Sequence, residues 1–184
     1  MQNAKPAIIL FIVALSSGLL LGSVNAFTSP AAAVQAQITL DNNLNEIISP
    51  EIAEFQSVEL LDSSVLNVYE AKKSGQTIAY VIHAASGGYA DKVDVLTGID
   101  VSGNIIKIKI GSHSETPGLG AEAVKEYFTE QYIGQNQPLS VVKQNPSANE
   151  IQAITSATIT SASITASVNA SLEYFNNHLA GGGK

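Results

Sequence analysis

Residues 93–110 read VDVLTGIDVSGNIIKIKI, and this stretch decides the fold class. Residues 93–101 and 105–110 are β-branched runs, and Ser102, Gly103 and Asn104 between them suit a hairpin turn. In the second run Ile106, Ile108 and Ile110 alternate with Lys107 and Lys109, the period of two of a half-buried strand. Upstream, residues 77–84 (TIAYVIHA) and 65–71 are further strand-like runs, and residues 72–76 (KKSGQ) suit another hairpin. Still earlier, Leu44, Ile47, Ile48, Ile52, Phe55 and Leu60 recur near helical spacing, and Pro50 divides them, which predicts two short helices over residues 41–61. Downstream, residues 120–133 read as an amphipathic helix with Val124, Tyr127, Phe128 and Ile133 inward. Residues 163–179 read as a second long helix anchored by Leu172, Tyr174 and Phe175. Strands joined in hairpins, with helices segregated from them, indicate an α+β domain: an antiparallel sheet with flanking helices.

The remainder of the chain is set apart by charge. Among 184 residues there are sixteen carboxylates and nine basic residues, all lysine, for a net charge of −7. Lys5 is the single charged side chain before Asp41. Residues 7–27 are almost wholly apolar, long enough to cross a hydrocarbon core of roughly 30 Å. With Lys5 before the segment and an acid as the first charge after it, the positive-inside bias gives a cytoplasmic N-terminus and an extracytoplasmic remainder. A cleaved signal peptide competes, because Val24-Asn25-Ala26 loosely fits a small-x-small exit. The apolar run is long for that, and an uncleaved single-pass anchor is the expected state. Gly18 and Gly22, four apart, suit close approach by another membrane helix. Residues 28–40 are small, uncharged and aperiodic, a juxtamembrane linker.

Composition also excludes. There is no cysteine, hence no disulfide, thiolate metal site, cysteine-ligated iron–sulfur cluster or thiol nucleophile. An acidic chain without arginine makes a poor nucleic-acid binder. His83, His113 and His178 have no paired spacing for a metal, so no metal site is expected. His83 within its apolar strand reads as a hydrogen-bonded residue, and His178 as a partner of a helix C-terminus. The many serines lack a G-x-S-x-G elbow, which leaves a secreted Ser/His hydrolase a weak rival and no catalytic side chain to nominate. The sequon at Asn169 falls inside the long helix.

Two segments carry chemistry. Residues 113–120 (HSETPGLG) follow the IIKIKI strand, and Pro117, Gly118 and Gly120 fix a tight turn with exposed amides that can approach a ring or an anion. Residues 154–161 (ITSATITS) crowd the hydroxyls of Thr155, Ser156, Thr158, Thr160 and Ser161 into the start of a helix, where free N–H groups and the helix dipole favour phosphate. On local grounds alone the plainer reading leads, a connector for the first segment and a Ser/Thr-rich cap for the second.

Together with residues 88–100 (GYADKVDVLTGID), these segments resemble the FMN-binding domain shared by the G subunit of the Rnf ferredoxin–NAD oxidoreductase complex and the C subunit of the sodium-pumping NADH–quinone oxidoreductase. The family's motifs are a GY…I…VGID stretch, HxETPGLG, and (S/T)GAT before a final helix; here they stand in the same order, and the compact length is closer to the Rnf protein. The resemblance implies an FMN joined through its phosphate to Thr158 by a separate flavin transferase. Thr155, Ser156 and Ala157 would shape the phosphate loop. Thr160 and Ser161 would lie at the helix N-terminus, and Glu115, Thr116, Pro117, Gly118 and Leu119 would border the isoalloxazine. It implies an electron-relay subunit inactive alone, partnered by other membrane subunits of an ion-translocating complex. The organisation would be a cytoplasmic stub at 1–6, an anchor at 7–27, the linker at 28–40, an extracytoplasmic FMN-binding domain at 41–180 and a flexible tail at 181–184. Two positions depart from the pattern: Gln152 stands where the family has aspartate, and Ser156 where it has glycine. A sodium-pump C-type subunit and a flavin-free anchored binding module are the alternatives.

Overall fold

The computed structural model describes residues 4–181, which form two units divided between Asn42 and Asn43. The N-terminal stub and the tail fall largely outside the described residues. Helix α1 (Ala4–Ile47) supplies the whole first unit. Its stretch Pro6–Ser29 contains an 18-residue window with a mean hydropathy of 2.5, and its 24 residues span about 36 Å at 1.5 Å per residue, enough to cross a bilayer. The segment 28–40, expected as an aperiodic linker, is helical throughout. Its small and uncharged residues include many alanines, which favour helix, and Thr39 returns its hydroxyl to the Gln35 carbonyl.

The second unit is built on one antiparallel sheet of five strands in sequential order: β1 (Glu54–Val58), β2 (Asn67–Lys73), β3 (Gln76–Gly87), β4 (Lys92–Asp100) and β5 (Ile105–Ile110). The hairpins occur where the turn residues predict them. Ser74 (φ 52°) and Gly75 (φ 81°) close β2–β3 in left-handed backbone, the mirror-image turn that matches strand twist. Gly103 (φ 90°) closes β4–β5, with the Asp100 carboxylate accepting the amides of Ser102 and Asn104. The two short helices expected over 41–61 do not form: the first is the end of the 44-residue α1 and the second gives way to strand β1. Its apolar residues Phe55 and Val58 keep the three-residue spacing of a helix, and pairing with β2, Phe55 opposite Ala71, decides the outcome against it.

The long C-terminal helix, α3 (Thr158–Tyr174), begins five residues before Ser163 and ends in a π-helical turn, Phe175–Leu179. Ile164, Val168, Leu172, Tyr174 and Phe175 are buried with Val68, Ile82, Val95, Ile99 and Ile108 of the sheet in one core. Buried Ser161, Thr165, Ser167 and Ser171 return their hydroxyls to the carbonyl four residues back, which lets a polar stripe sit in the core without unpaired groups. The last turn of α1 packs on the sheet through buried Leu44 and Ile47, and Lys109 pairs with the Glu46 carboxylate.

Residues 120–133 do not form the anticipated single helix. They break into a 3₁₀ segment (Gly120–Val124), a single α turn, α2 (Glu126–Thr129), and a second 3₁₀ turn (Glu130–Tyr132). The tighter winding moves the buried face. Phe128 is buried as expected, but Val124, Tyr127 and Ile133 are about half exposed, and Tyr132 is buried instead. The Tyr132 hydroxyl meets Thr165 Oγ1 at 2.8 Å, and burial pushes that phenol well above its ordinary range despite this bond. Two three-residue strands, β6 (Ser140–Val142) and β7 (Glu150–Gln152), pair in parallel and lead into the segment before α3.

The lone histidines are absorbed by the fold. His83 Nε2 lies 3.7 Å from the Asp94 carboxylate across β3 and β4. His178, expected to serve a helix terminus, is paired with Asp62 at 2.6 Å and packed on Tyr174. Asn169, the sequon residue, clamps the backbone of Leu139 with both its amide oxygen and its amide nitrogen. Among the described residues no group of three His, Asp or Glu side chains could hold a metal.

Candidate functional site

Three turns meet at the N-terminus of α3. The first, 88–91, follows β3 and is closed by the Gly88 amide donating to the Asp91 carbonyl at 2.8 Å. The second is the 113–120 segment after β5, where the Thr116 carbonyl accepts the amides of Leu119 (3.1 Å) and Ala121 (3.2 Å). The third is the 154–157 turn into α3, where the Ala157 amide donates to the Ile154 carbonyl. They enclose a cleft of about 480 Å³ lined by Tyr89, by Glu115, Thr116, Leu119 and Gly120, and by Ser156, Ala157, Thr158, Ile159 and Thr160. That volume lies within the range of small-molecule sites, roughly 300–1,000 Å³.

The α3 end of the cleft has the character of an anion site. Ala157 occupies the cap position, and no side chain caps the helix. The first-turn amides of Thr158, Ile159 and Thr160 have no carbonyl four residues back within the helix, and they carry the positive end of a 17-residue dipole. Thr158 is the first helical residue, and its side chain is exposed on the cleft wall. Ser156 holds φ 63°, the left-handed region that glycine enters at little cost. A glycine, which the resemblance leads one to expect here, would take this conformation freely, and serine takes it in this chain.

Glu115 is the buried charge of the site, 6% exposed. Its Oε1 accepts the amides of Tyr89 (2.8 Å) and Ala90 (3.1 Å), and its Oε2 accepts the Thr160 hydroxyl (2.5 Å). Burial pushes this carboxyl up, but the Thr160 hydroxyl, the two amides and the charge of nearby His113 outweigh it and hold the group below the ordinary glutamate value. His113 is half-buried with its Nδ1 buried and unpartnered; it does not line the cleft.

Of the residues nominated from sequence, the structure brings Thr158, Ser156, Ala157, Thr160, Glu115, Thr116 and Leu119 together on the cleft. Pro117 and Gly118 (φ 76°) form the exposed tip of the second turn and Thr155 lies exposed beside Ser156; none of the three lines the cleft. Ser161 is fully buried behind the wall, its hydroxyl bound to the Ile154 amide and the Ala157 carbonyl. Three lining residues go beyond those nominations: Tyr89, Gly120 and Ile159. Tyr89 and Gly120 stand inside the quoted motifs, the one signal that could have found them.

Known proteins are similar to this chain. Residues 88–173, which carry all three turns, match the model of the FMN-binding domain. Over 94% of its length the chain is 35% identical to the G subunit of the proton-translocating ferredoxin:NAD(+) oxidoreductase complex of Clostridium ljungdahlii, covering 91% of that protein. The chain belongs to this family of G subunits. A second member, the G subunit of the Na(+)-translocating ferredoxin:NAD(+) oxidoreductase complex of Acetobacterium woodii, is 32% identical over 94% of this chain and 91% of its own length. The fold of this chain is similar to that of NqrC of Shewanella oneidensis, which matches 71% of this chain and 70% of its own with a TM-score of 0.52 at 15% identity.

Proposed function

We propose that this chain is a membrane-anchored flavoprotein subunit that relays electrons within an ion-translocating ferredoxin:NAD oxidoreductase complex, through an FMN whose phosphate is esterified to Thr158. The observation that carries this reading is the exposed Thr158 hydroxyl at the uncapped N-terminus of α3, on the wall of the cleft. The donor set fits a phosphate: three first-turn amides, the positive end of the helix dipole and a hydroxyl to esterify. The names of the Clostridium and Acetobacterium relatives support the complex, and the FMN-binding domain match supports the cofactor.

Bound FMN supplies the reversible uptake and release of electrons. The chain's own residues bind and orient it. The amides of Thr158, Ile159 and Thr160 hold the phosphate, and Ser156 turns the backbone so that those amides face the cleft. Tyr89, Leu119 and Ile159 offer apolar surface to the ring system, and Thr116 polar edges. Thr155, Pro117 and Gly118 act through the shape of their turns, and Ser161 by fastening the 154–157 turn from behind. Attachment calls for a flavin transferase that accepts Gln152 and Ser156; the Gln152 side chain is exposed, within reach of such an enzyme.

Residues 6–29 act as the anchor, with the N-terminus in the cytoplasm and the domain outside. A Cβ built on Gly18 or Gly22 meets nothing within 4 Å, and this open strip suits close packing by a membrane helix of another protein in the complex. The chain has no cysteine, so single cysteines placed at either end of α1 test the orientation by labelling from one side of the membrane.

A denaturing gel viewed under ultraviolet light tests the flavin. A fluorescent band at the mass of this chain, lost in Thr158→Ala, is the expected result; a colourless denatured chain from a yellow native protein overturns the ester. Isolation of the native assembly tests the rest, since a quinone-reducing complex would overturn the ferredoxin reading.

A further inference from the structure

Glutamate is seldom fully buried without a cationic partner, because stripping water from a carboxylate is costly. Glu115 is buried, and among the described residues no lysine pairs with it. Its charge is met instead by three donors from two distant places: the Tyr89 amide, 26 residues away, with its neighbour Ala90, and the Thr160 hydroxyl, 45 residues away. The surrounding backbone is shaped to the carboxylate. A Cβ on Gly88 would lie 2.5 Å from Oε1, and a Cβ on Gly120 2.5 Å from Oε2. The 88–91 turn, the 113–120 turn and the first turn of α3 therefore meet at the same two oxygens. The carboxylate takes the side chain of Thr160 and leaves the first-turn amides of α3 to the cleft.

We propose that Glu115 is the positioning residue of this site: its carboxylate fixes the N-terminus of α3 against the 88–91 and 113–120 turns, and keeps a fixed negative charge beside the bound flavin. The charge part rests on the flavin reading above; the clamp does not. A carboxylate shielded from water disfavours electron uptake by a neighbouring ring, so it holds the flavin potential down. A glutamine there keeps the shape, can accept the Tyr89 and Ala90 amides on its oxygen and donate from its nitrogen to Thr160 Oγ1, and removes the charge, whereas alanine removes both the bonds and the charge.

The test uses full-length protein in detergent. In a Thr158→Ala background, hydrogen exchange is measured with Glu115→Ala, Glu115→Gln and Thr160→Val. Expected is at least tenfold faster exchange at Tyr89 and Ala90 in Glu115→Ala, with β3 and β4 amides unchanged and most protection recovered in Glu115→Gln. Thr160→Val should loosen the first turn of α3, read at the Ser161 amide that bonds to the Ala157 carbonyl, while leaving Tyr89 and Ala90 protected. Unchanged protection at 89–90 in Glu115→Ala overturns the clamp. Should that variant fail to fold, Thr160→Val decides, and an α3 first turn as protected as in its parent overturns it. In the flavin-loaded protein, Glu115→Gln should raise the reduction potential with Thr158 still modified; an unchanged or lowered potential overturns the charge. A wild-type chain that carries no flavin would sink the flavin reading and the charge with it, and leave the exchange result to judge the clamp.

Discussion

The hydroxyl of Ser161 accepts the buried amide of Ile154, seven residues back, at 3.0 Å. The same hydroxyl donates to the Ala157 carbonyl at 3.0 Å, so one small side chain closes the turn that presents Thr158. Truncation to alanine leaves the Ile154 amide buried without a partner, which costs roughly 1–3 kcal/mol. Ser161→Ala is expected to lower the unfolding free energy by about 2 kcal/mol, read by denaturant titration. Flavin incorporation at Thr158 should fall as well, since the acceptor loop loses its fastening. Full stability in the variant would show that water or a shifted backbone replaces the bond.

Ser156 gives a prediction of opposite sign. Its φ of 63° strains a serine by about 1–2 kcal/mol, of which glycine's greater chain entropy gives back part. Ser156→Gly should therefore stabilise the chain by about 0.5–1 kcal/mol, and Ser156→Val should destabilise it by more, because a β-branched side chain resists the left-handed region. Thermal unfolding of the two variants beside the parent checks both signs.

Much of this site can be read along the chain, and what cannot has a common cause. The hairpins rest on local turn chemistry, as Ser74-Gly75 and Gly103 show, and α3 is anchored by Leu172, Tyr174 and Phe175, all buried. The face of residues 120–133 escapes a periodicity argument because a 3₁₀ winding rotates it, burying Tyr132 and exposing Tyr127. Strand β1 escapes it because Phe55 and Val58 are spaced as in a helix, and only its pairing with β2 makes it a strand. Ser161 stands among the hydroxyls of the site motif, yet spacing alone does not tell the wall of a cleft from its backing. The bond between Glu115 and Thr160 joins two motifs that sequence shows only as neighbours in order.

Gly120 and Gly118, two positions apart, should respond differently to the same substitution. A Cβ on Gly120 would stand 2.5 Å from Glu115 Oε2 and 2.6 Å from Thr160 Oγ1. Neither group can retreat without giving up a buried hydrogen bond, so Gly120→Ala should cost roughly 1–3 kcal/mol and distort the cleft. A Cβ on Gly118 meets nothing within 4 Å, and its cost comes from φ 76° alone, about 1 kcal/mol. Denaturant unfolding should separate the two, and flavin incorporation should suffer only in Gly120→Ala.

The acid side of the stability profile follows from carboxyls held below their ordinary values. Glu115 is held down despite its burial, and Glu70 is lowered by its bonds from Lys72 and Thr77. For a depressed carboxyl the unfolded chain binds its proton at the higher pH, so the stabilisation is complete above the ordinary glutamate value of about 4.3 and is lost as pH falls through the folded value. Midpoint temperatures of the full chain should thus fall as pH drops from about 5 to about 3. In Glu115→Gln the neutral-pH midpoint should be lower and the acid decline shallower, because one proton-linked contribution is gone. Equal slopes for parent and variant would mean that Glu115 titrates alike in the folded and unfolded chain, contrary to the hydrogen bonds it accepts.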